Sequence, residues 1–281
     1  MSVPEIVLTV SLSLLGLTVI LALLWLFLSL PRVPTRLPKK YKDVRFAHRG
    51  LHTEGVMENS LTAFMRAANA GYGIELDIRL CKSGELVVCH DESILRVTGV
   101  NKRVVDLTLN ELSLYKLSGT EDTVPAFREV LRLIDGRVPL LVEIKSSLED
   151  TGVAERFLEE IADYSGEYIV ESFNPKVLRT VRRARPDIPL GILSLQYTKE
   201  EKFKGKPIYF LGEKLKLNFF ARPDFIAYDH TGYGVRALRL LRKIFKVPTF
   251  AWTVKSQEEE RLARAHGFDT VIFEQYIPKD E

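Results

Sequence analysis

Two short stretches decide how this chain folds: Ile74-Glu75-Leu76-Asp77-Ile78 and Leu140-Leu141-Val142-Glu143-Ile144-Lys145. Apolar residues dominate both, so each reads as a buried strand, yet each carries charged residues two apart, and that spacing puts them on one face. Three carboxylates and a lysine turned inward would be severely desolvated unless they surrounded something charged. A divalent metal with a phosphate beside it is the simplest such object. His48 and His90 stand in similar settings, each directly after a short apolar run and directly before Arg49 or Asp91. The residues point to metal-dependent phosphodiester hydrolysis; the competing reading is a set of structural salt bridges in an ordinary core.

Outward from these strands, short apolar runs alternate with amphipathic helices, the signature of a parallel α/β fold. The expected strands are Val44 to Ala47, Ile74 to Ile78, Leu140 to Ile144, Tyr168 to Val170, Leu190 to Ile192, Phe225 to Tyr228, Thr249 to Trp252 and Thr270 to Ile272. Helices are expected at Ser60 to Ala70, Val124 to Ile134, Thr151 to Tyr164, Pro175 to Ala184, Gly234 to Ile244 and Ser256 to Ala265. Asn59 or Ser60 can cap the first and Gly71 can end it, while Asn174-Pro175 opens the fourth. Eight strands with helical crossovers favour a closed (β/α)8 TIM barrel over an open sheet. No glycine-rich phosphate fingerprint follows any of these strands, which weakens the open sheet further.

A length of 281 residues suits one large barrel. Residues 1 to 42 carry a net charge of +4, leaving −1 for the rest; a near-neutral body gives no reason to expect a nucleic-acid partner. Cys81 and Cys89 are the only cysteines, compatible with a reducing compartment. No charged residue lies between Glu5 and Arg32, and a run of that length can cross a bilayer. A cleaved signal peptide would want a basic start and a shorter core, so residues 1–31 read as an uncleaved transmembrane anchor. The basic residues all follow this span, which places the catalytic body on the cytoplasmic side of a cell membrane in a single-pass arrangement. Residues 32–42 read as a stiff, proline-containing basic linker able to lie on anionic headgroups, and 43–281 as the barrel.

Two regions interrupt the regular unit. The first, about 81–118, is an insertion after the second strand, with a turn and strand in Gly84 to Asp91; a loop of this size is expected to be functional. The second, about Tyr197 to Arg222, is rich in aromatic and basic residues. It reads either as an outer barrel helix with a basic solvent face or as a surface resting near the bilayer.

Barrel active sites gather at the C-terminal ends of strands, where His48, Glu75, Asp77, Glu143 and Lys145 converge and His90 enters on the insertion. Glu75, Asp77 and Glu143 are hard oxygen ligands suited to Mg²⁺ or Ca²⁺. Arg49 and Lys145 supply fixed positive charge for phosphate oxygens. His48 and His90 suit general acid and base. Trp252 can wall an alcohol or glycerol skeleton, or simply pack in the core. His52 reads as a loop residue near the mouth, His266 as a helix C-cap, and His230 as a residue bordering the site.

The chain resembles the glycerophosphodiester phosphodiesterase family. The resemblance rests on Ala47-His48-Arg49-Gly50, Glu58-Asn59-Ser60, Glu75-Leu76-Asp77, Val88-Cys89-His90-Asp91, Leu95 through Val105-Asp106-Leu107-Thr108, Pro125 opening a helix, Val142-Glu143-Ile144-Lys145, Ser172-Phe173 and Trp252-Thr253-Val254. It implies a (β/α)8 barrel with a small insertion that hydrolyses glycerophosphodiesters to sn-glycerol 3-phosphate and an alcohol with a divalent cation. Carried over residue by residue, it makes Glu75, Asp77 and Glu143 metal ligands, His48 and His90 acid and base, and Arg49 and Lys145 phosphate holders. The mechanism it implies has the glycerol 2-hydroxyl attack phosphorus, giving a cyclic phosphate that water opens. Met57 departs from the proline common before the Glu-Asn pair, and the N-terminal span is absent from soluble members. The alternatives are a lysophospholipase D acting on lysoglycerophospholipids and a catalytically silent, membrane-tethered lipid-binding scaffold.

Overall fold

The structure, a computed structural model, describes residues 2–146 and 152–279. Eight parallel strands close into a barrel: β1 Arg45–Ala47, β2 Gly73–Leu80, β4 Leu140–Ile144, β5 Tyr168–Ser172, β6 Leu190–Ser194, β7 Phe225–Asp229, β8 Thr249–Val254 and β9 Thr270–Phe273. Between β2 and β4, β3 Leu86–Val88 pairs antiparallel with the end of β2, and β1 closes the ring on both β2 and β9. Helices cover the outside, as the alternation requires.

The pleat sorts the side chains. Glu75 pairs with Leu141, Asp77 with Glu143, and Glu143 with Glu171, so these positions share the interior face while their neighbours turn toward the helices. Phe46, Leu141, Ile169, Phe225, Phe250 and Ile272 fill the lower interior as one apolar cluster. Gly191 belongs there for a steric reason, since a Cβ on it would come within 2.2 Å of the Phe225 ring. The carboxylates lie further along the same strands, toward their C-terminal ends. The alternate residues Ile74, Leu76, Ile78, Val142 and Val170 join the larger cluster packed under the helices.

Local signals account for most helix ends. Ser60 accepts from Ala63 N at the start of Leu61–Asn69, and Asn174 accepts from Lys176 N at the start of Pro175–Ala184. The remaining expected helices are Gly152–Glu160, Arg236–Phe245 and Gln257–Ala265; the expected start at Thr151 lies outside the described residues. The helix expected from Val124, with Pro125 opening it, begins instead at Phe127. Val88 N donates to Pro125 O and Val87 bridges Ala126, so pairing with the β3 edge holds the preceding residues extended. The insertion has its own apolar core, which includes Cys81, Val87, Ile94, Val104, Leu112 and Leu117. Both cysteines are buried and free.

One helix, Val3–Ser29, is long and apolar enough to cross a membrane, with a mean hydropathy of 2.6 and none of that window buried. The segment after it does not stand off as a spacer. Arg32 faces Asp224 at 3.9 Å, Lys42 meets Asp269 at 2.8 Å and Lys40 pairs with Glu167. Leu37 and Tyr41 enter the apolar cluster at the bottom of the barrel, where Tyr41 stacks on Phe46. The linker is thus a plug, and Arg32, Arg36, Lys40 and Lys42 are engaged by the barrel. Deleting a buried aromatic leaves a cavity, so Tyr41→Ala is expected to destabilise the barrel by about 3 kcal/mol, read as a lower urea midpoint with an unchanged slope.

Candidate active site

At the C-terminal ends of β2 and β4, Glu75, Asp77 and Glu143 bring one carboxylate oxygen each within 4.8 Å of one another, all buried. Lys145, just past β4, places Nζ 2.7 Å from Glu143 Oε1 and 3.1 Å from Asp77 Oδ1. Arg49 lies just past β1 with φ of +56°. That turn is possible because Gly50 follows at φ +82°, where a Cβ would come within 2.9 Å of Ala63. The turn aims the Arg49 backbone N–H at Glu75 Oε2, 2.9 Å away, and lets the guanidinium donate to Glu58 Oε1 at 2.8 Å. Asn59 Nδ2 donates to Asp77 Oδ2 at 2.8 Å.

The charges do not balance evenly. Burial and then the neighbouring Asp77 push the Glu75 carboxyl well above its usual range, and burial raises Glu143 against the pull of Lys145. Burial also opposes ionisation of Asp77, but Lys145 and Arg49 overcome it and hold that carboxyl low. Glu171 adds a fourth interior carboxyl; burial and then Glu143 push it well up, and its Oε2 is buried without a hydrogen-bond partner. Four carboxyls facing two cations in a dry interior are electrostatically short of positive charge. A divalent ion fits that deficit, and the all-oxygen donor set suits Mg²⁺ or Ca²⁺.

Each histidine has a carboxylate behind it. His48 Nδ1 lies 2.7 Å from Glu274 Oε2, and His90 Nδ1 lies 2.6 Å from Asp91 Oδ1. A carboxylate only accepts, so both Nδ1 atoms carry the proton and both Nε2 atoms are left as bases. His48 Nε2 is 4.0 Å from Glu75 Oε2, at the edge of the cluster. Asp91 is fixed by Arg96 Nε at 2.6 Å, and the Arg96 guanidinium also donates to both oxygens of Glu58 at 2.8 Å. Glu58 therefore ties the Arg49 side of the site to the His90 side.

The expected residues His48, Arg49, Glu75, Asp77, Glu143 and Lys145 converge, with His90 on the insertion rim. Trp252 lies within β8 and its ring meets Phe173 edge-on at 5.6 Å; its indole Nε1 is buried without a hydrogen-bond partner. His52 shares Glu274 with His48, at 3.7 Å. His230 instead faces Glu259 at 3.8 Å, and His266 caps its helix while stacking on Tyr233. The sequence reading assigned no role to Glu274, Asp91, Arg96 or Glu171. Glu274 had a usable signal, since it follows the last strand as His48 follows the first.

Residues 48–276 match the glycerophosphoryl diester phosphodiesterase family. The chain belongs to that family. As a member it is a phosphoric diester hydrolase acting on glycerophosphodiesters. A glycerophosphodiester phosphodiesterase of Caldanaerobacter subterraneus subsp. tengcongensis is 37% identical over 165 residues, 54% of this chain and 67% of that protein. A glycerophosphodiester phosphodiesterase structure from Thermotoga maritima superposes with a TM-score of 0.63 at 28% identity, covering 82% of this chain and 94% of that one. An Oleispira antarctica phosphodiesterase, solved with sn-glycerol 3-phosphate, shares the fold with a TM-score of 0.67 at 19% identity, covering 82% and 92%.

Burial depresses both histidines, His48 below its usual range and His90 to about 4. An unfolded histidine binds a proton near pH 6.5, so between pH 6.5 and 4 these two side chains hold more protons in the unfolded chain than in the folded one. Stability present above pH 6.5 is then lost as the pH falls through that window. Glu75, Glu143 and Glu171, whose carboxyls burial pushes up, act in the opposite sense, so the histidine contribution is read as a difference: in chelator, the thermal midpoint of His90→Gln relative to that of the native chain is expected to rise from pH 7 to pH 5.

Proposed function

We propose that Glu75, Asp77 and Glu143 hold one divalent cation, Mg²⁺ or Ca²⁺, and that His48 and His90 move the protons of the hydrolysis. The reaction releases sn-glycerol 3-phosphate and an alcohol. The observation that carries this reading is the buried carboxylate cluster flanked by two carboxylate-backed imidazoles. Bound there, the cation would neutralise charge on the phosphoryl group and favour ionisation of an attacking hydroxyl. Lys145 and Arg49, now paired with Asp77, Glu143 and Glu58, would then be released toward the phosphate oxygens, Arg49 as a fork and Lys145 as a point charge.

His48, the less exposed of the two and next to Glu75, takes the proton from the incoming hydroxyl through Nε2. His90 sits on the rim at one-third exposure, where a departing alcohol meets water; it takes up a proton at Nε2 from solvent as the anionic phosphodiester binds, and hands that proton to the leaving oxygen. One phosphorus–oxygen bond forms as the other breaks. Glu274 and Asp91 stabilise each imidazolium and fix its ring. A silent scaffold would require a missing ligand or histidine, and all are present. The apolar N-terminal helix anchors the enzyme to a membrane in this reading, with the barrel on the cytoplasmic side.

Chelator is expected to abolish glycerol 3-phosphate release from glycerophosphocholine, and Mg²⁺ or Ca²⁺ to restore it. Glu143→Ala should lose that metal-dependent turnover while keeping a cooperative thermal transition. His48→Ala and His90→Ala should each lower kcat by about 10²–10⁴. With a p-nitrophenyl ester, whose leaving group needs no acid, only the His90 variant should recover. Full activity of Glu143→Ala with intact metal dependence would overturn the assignment.

A further inference from the structure

Behind Phe173 lies a cavity of about 420 Å³, within the range of small-molecule sites. Carbon dominates its wall: Phe173, Ile192 and Leu193 come from the barrel, and Tyr197, Ile208 and Leu217 from the segment between β6 and β7. The cavity adjoins the catalytic mouth. Phe173 borders both, with its ring 5.9 Å from Lys145 Nζ and 5.6 Å from Trp252, and Ser146, next to Lys145, lines the cavity.

Lys145 also lines a second, smaller space of about 190 Å³, where Arg79, Glu92 and Arg103 stand beside Val104, Val105 and Val153. A glycerophosphodiester has two arms leaving its phosphate. The link to His90 assigns the smaller space to the head-group alcohol: Arg79, which lines it, donates to the backbone oxygen of His90, the proposed acid for that alcohol. The apolar space, reached past Phe173 and Trp252, suits carbon carried on the glycerol arm.

The segment that walls the cavity also holds the end of the N-terminal helix. Asn218 Nδ2 donates to Ser29 O at 2.8 Å, Phe219 stacks on Phe27, and Lys216 Nζ stands 4.8 Å from the Trp25 ring centre. Its outer surface exposes Ile208, Phe210 and Leu211 beside Lys202, Lys204 and Lys206. Apolar and aromatic groups interleaved with lysines next to an apolar helix suit the boundary of an anionic lipid layer. Ile208 is common to the exposed patch and the cavity wall.

We propose that the cavity between β5, β6 and residues 197–218 binds a fatty acyl chain esterified to the glycerol, so that this active site cleaves single-chain glycerophospholipids. The proposal rests on the metal and histidine reading above. Cleavage breaks the bond between phosphorus and the head-group oxygen; water supplies the hydroxyl that stays on phosphorus and the proton that leaves with the alcohol. The products are an acylglycerol phosphate and the free alcohol.

The test uses the full chain in lipid nanodiscs and reads choline release from glycerophosphocholine and from 1-acyl-glycerophosphocholines, butanoyl to octanoyl. In the native chain, kcat/KM is expected to rise about fourfold per added methylene, the value of burying one CH₂. Ile208→Trp and Leu217→Trp, each placing an indole in the cavity from a different side, should cut the octanoyl-to-butanoyl ratio at least tenfold. That ratio cancels differences in folded fraction between preparations. A flat native series, or ratios unmoved in both variants, overturns the acyl site. Chelator-sensitive release from glycerophosphocholine with a flat series sinks the acyl site alone; no turnover on any substrate sinks the metal and histidine reading and the acyl site with it.

Discussion

Negative charge buried in the barrel mouth is the constraint on which the rest of the structure depends. Glu75, Asp77, Glu143 and Glu171 are all almost fully buried on the interior face, where an uncompensated carboxylate is prohibitively desolvated. Arg49 and Lys145 answer part of that charge, and their own positions follow from it. Arg49 takes a left-handed turn to bring both its backbone N–H and its guanidinium to the cluster. Breaking such a group by removing one partner costs far more than a surface pair would, because the remaining charges stay buried.

The same economy of charge extends outward. Glu58 holds Arg49 and Arg96, Arg96 holds Asp91, and Asp91 holds His90, so the insertion is positioned by an ionic chain rather than by its apolar core alone. On the opposite side Glu274 serves His48 and His52 and also meets Lys255 at 3.0 Å. At the bottom of the barrel the constraint is the reverse. There the interior is apolar, and Leu37 and Tyr41 seal it.

Much of the fold was legible because β-strands buried on both faces leave continuous apolar runs, and each run found became a barrel strand. The metal cluster was legible for the opposite reason: charged residues two apart in such a run have no ordinary explanation. Partners distant in sequence were not legible. Glu274 stands 226 residues from His48, and its one mark, a place directly after the last strand, names no partner. Arg96 reads as any exposed arginine until Glu58 and Asp91 are brought to it. That the linker packs on the barrel was not legible, because prolines and basic residues carry no sign of what they meet, and only the barrel's open end, with Asp224, Glu167 and Asp269 around it, shows them as a plug. Val124 to Ala126 had helix-compatible residues, but an available strand edge outweighed local propensity.

The plug and the bonds from Asn218 and Arg222 to the end of the N-terminal helix leave no swivel between that helix and the barrel. With the helix seated in a bilayer, the catalytic mouth would keep one height and one heading relative to the lipid plane. Such an enzyme samples its surroundings by drifting sideways rather than by reaching. For a lipid substrate its throughput would follow mole fraction in the surface, and for a water-soluble one it would follow bulk concentration, so a single active site would obey two different concentration laws.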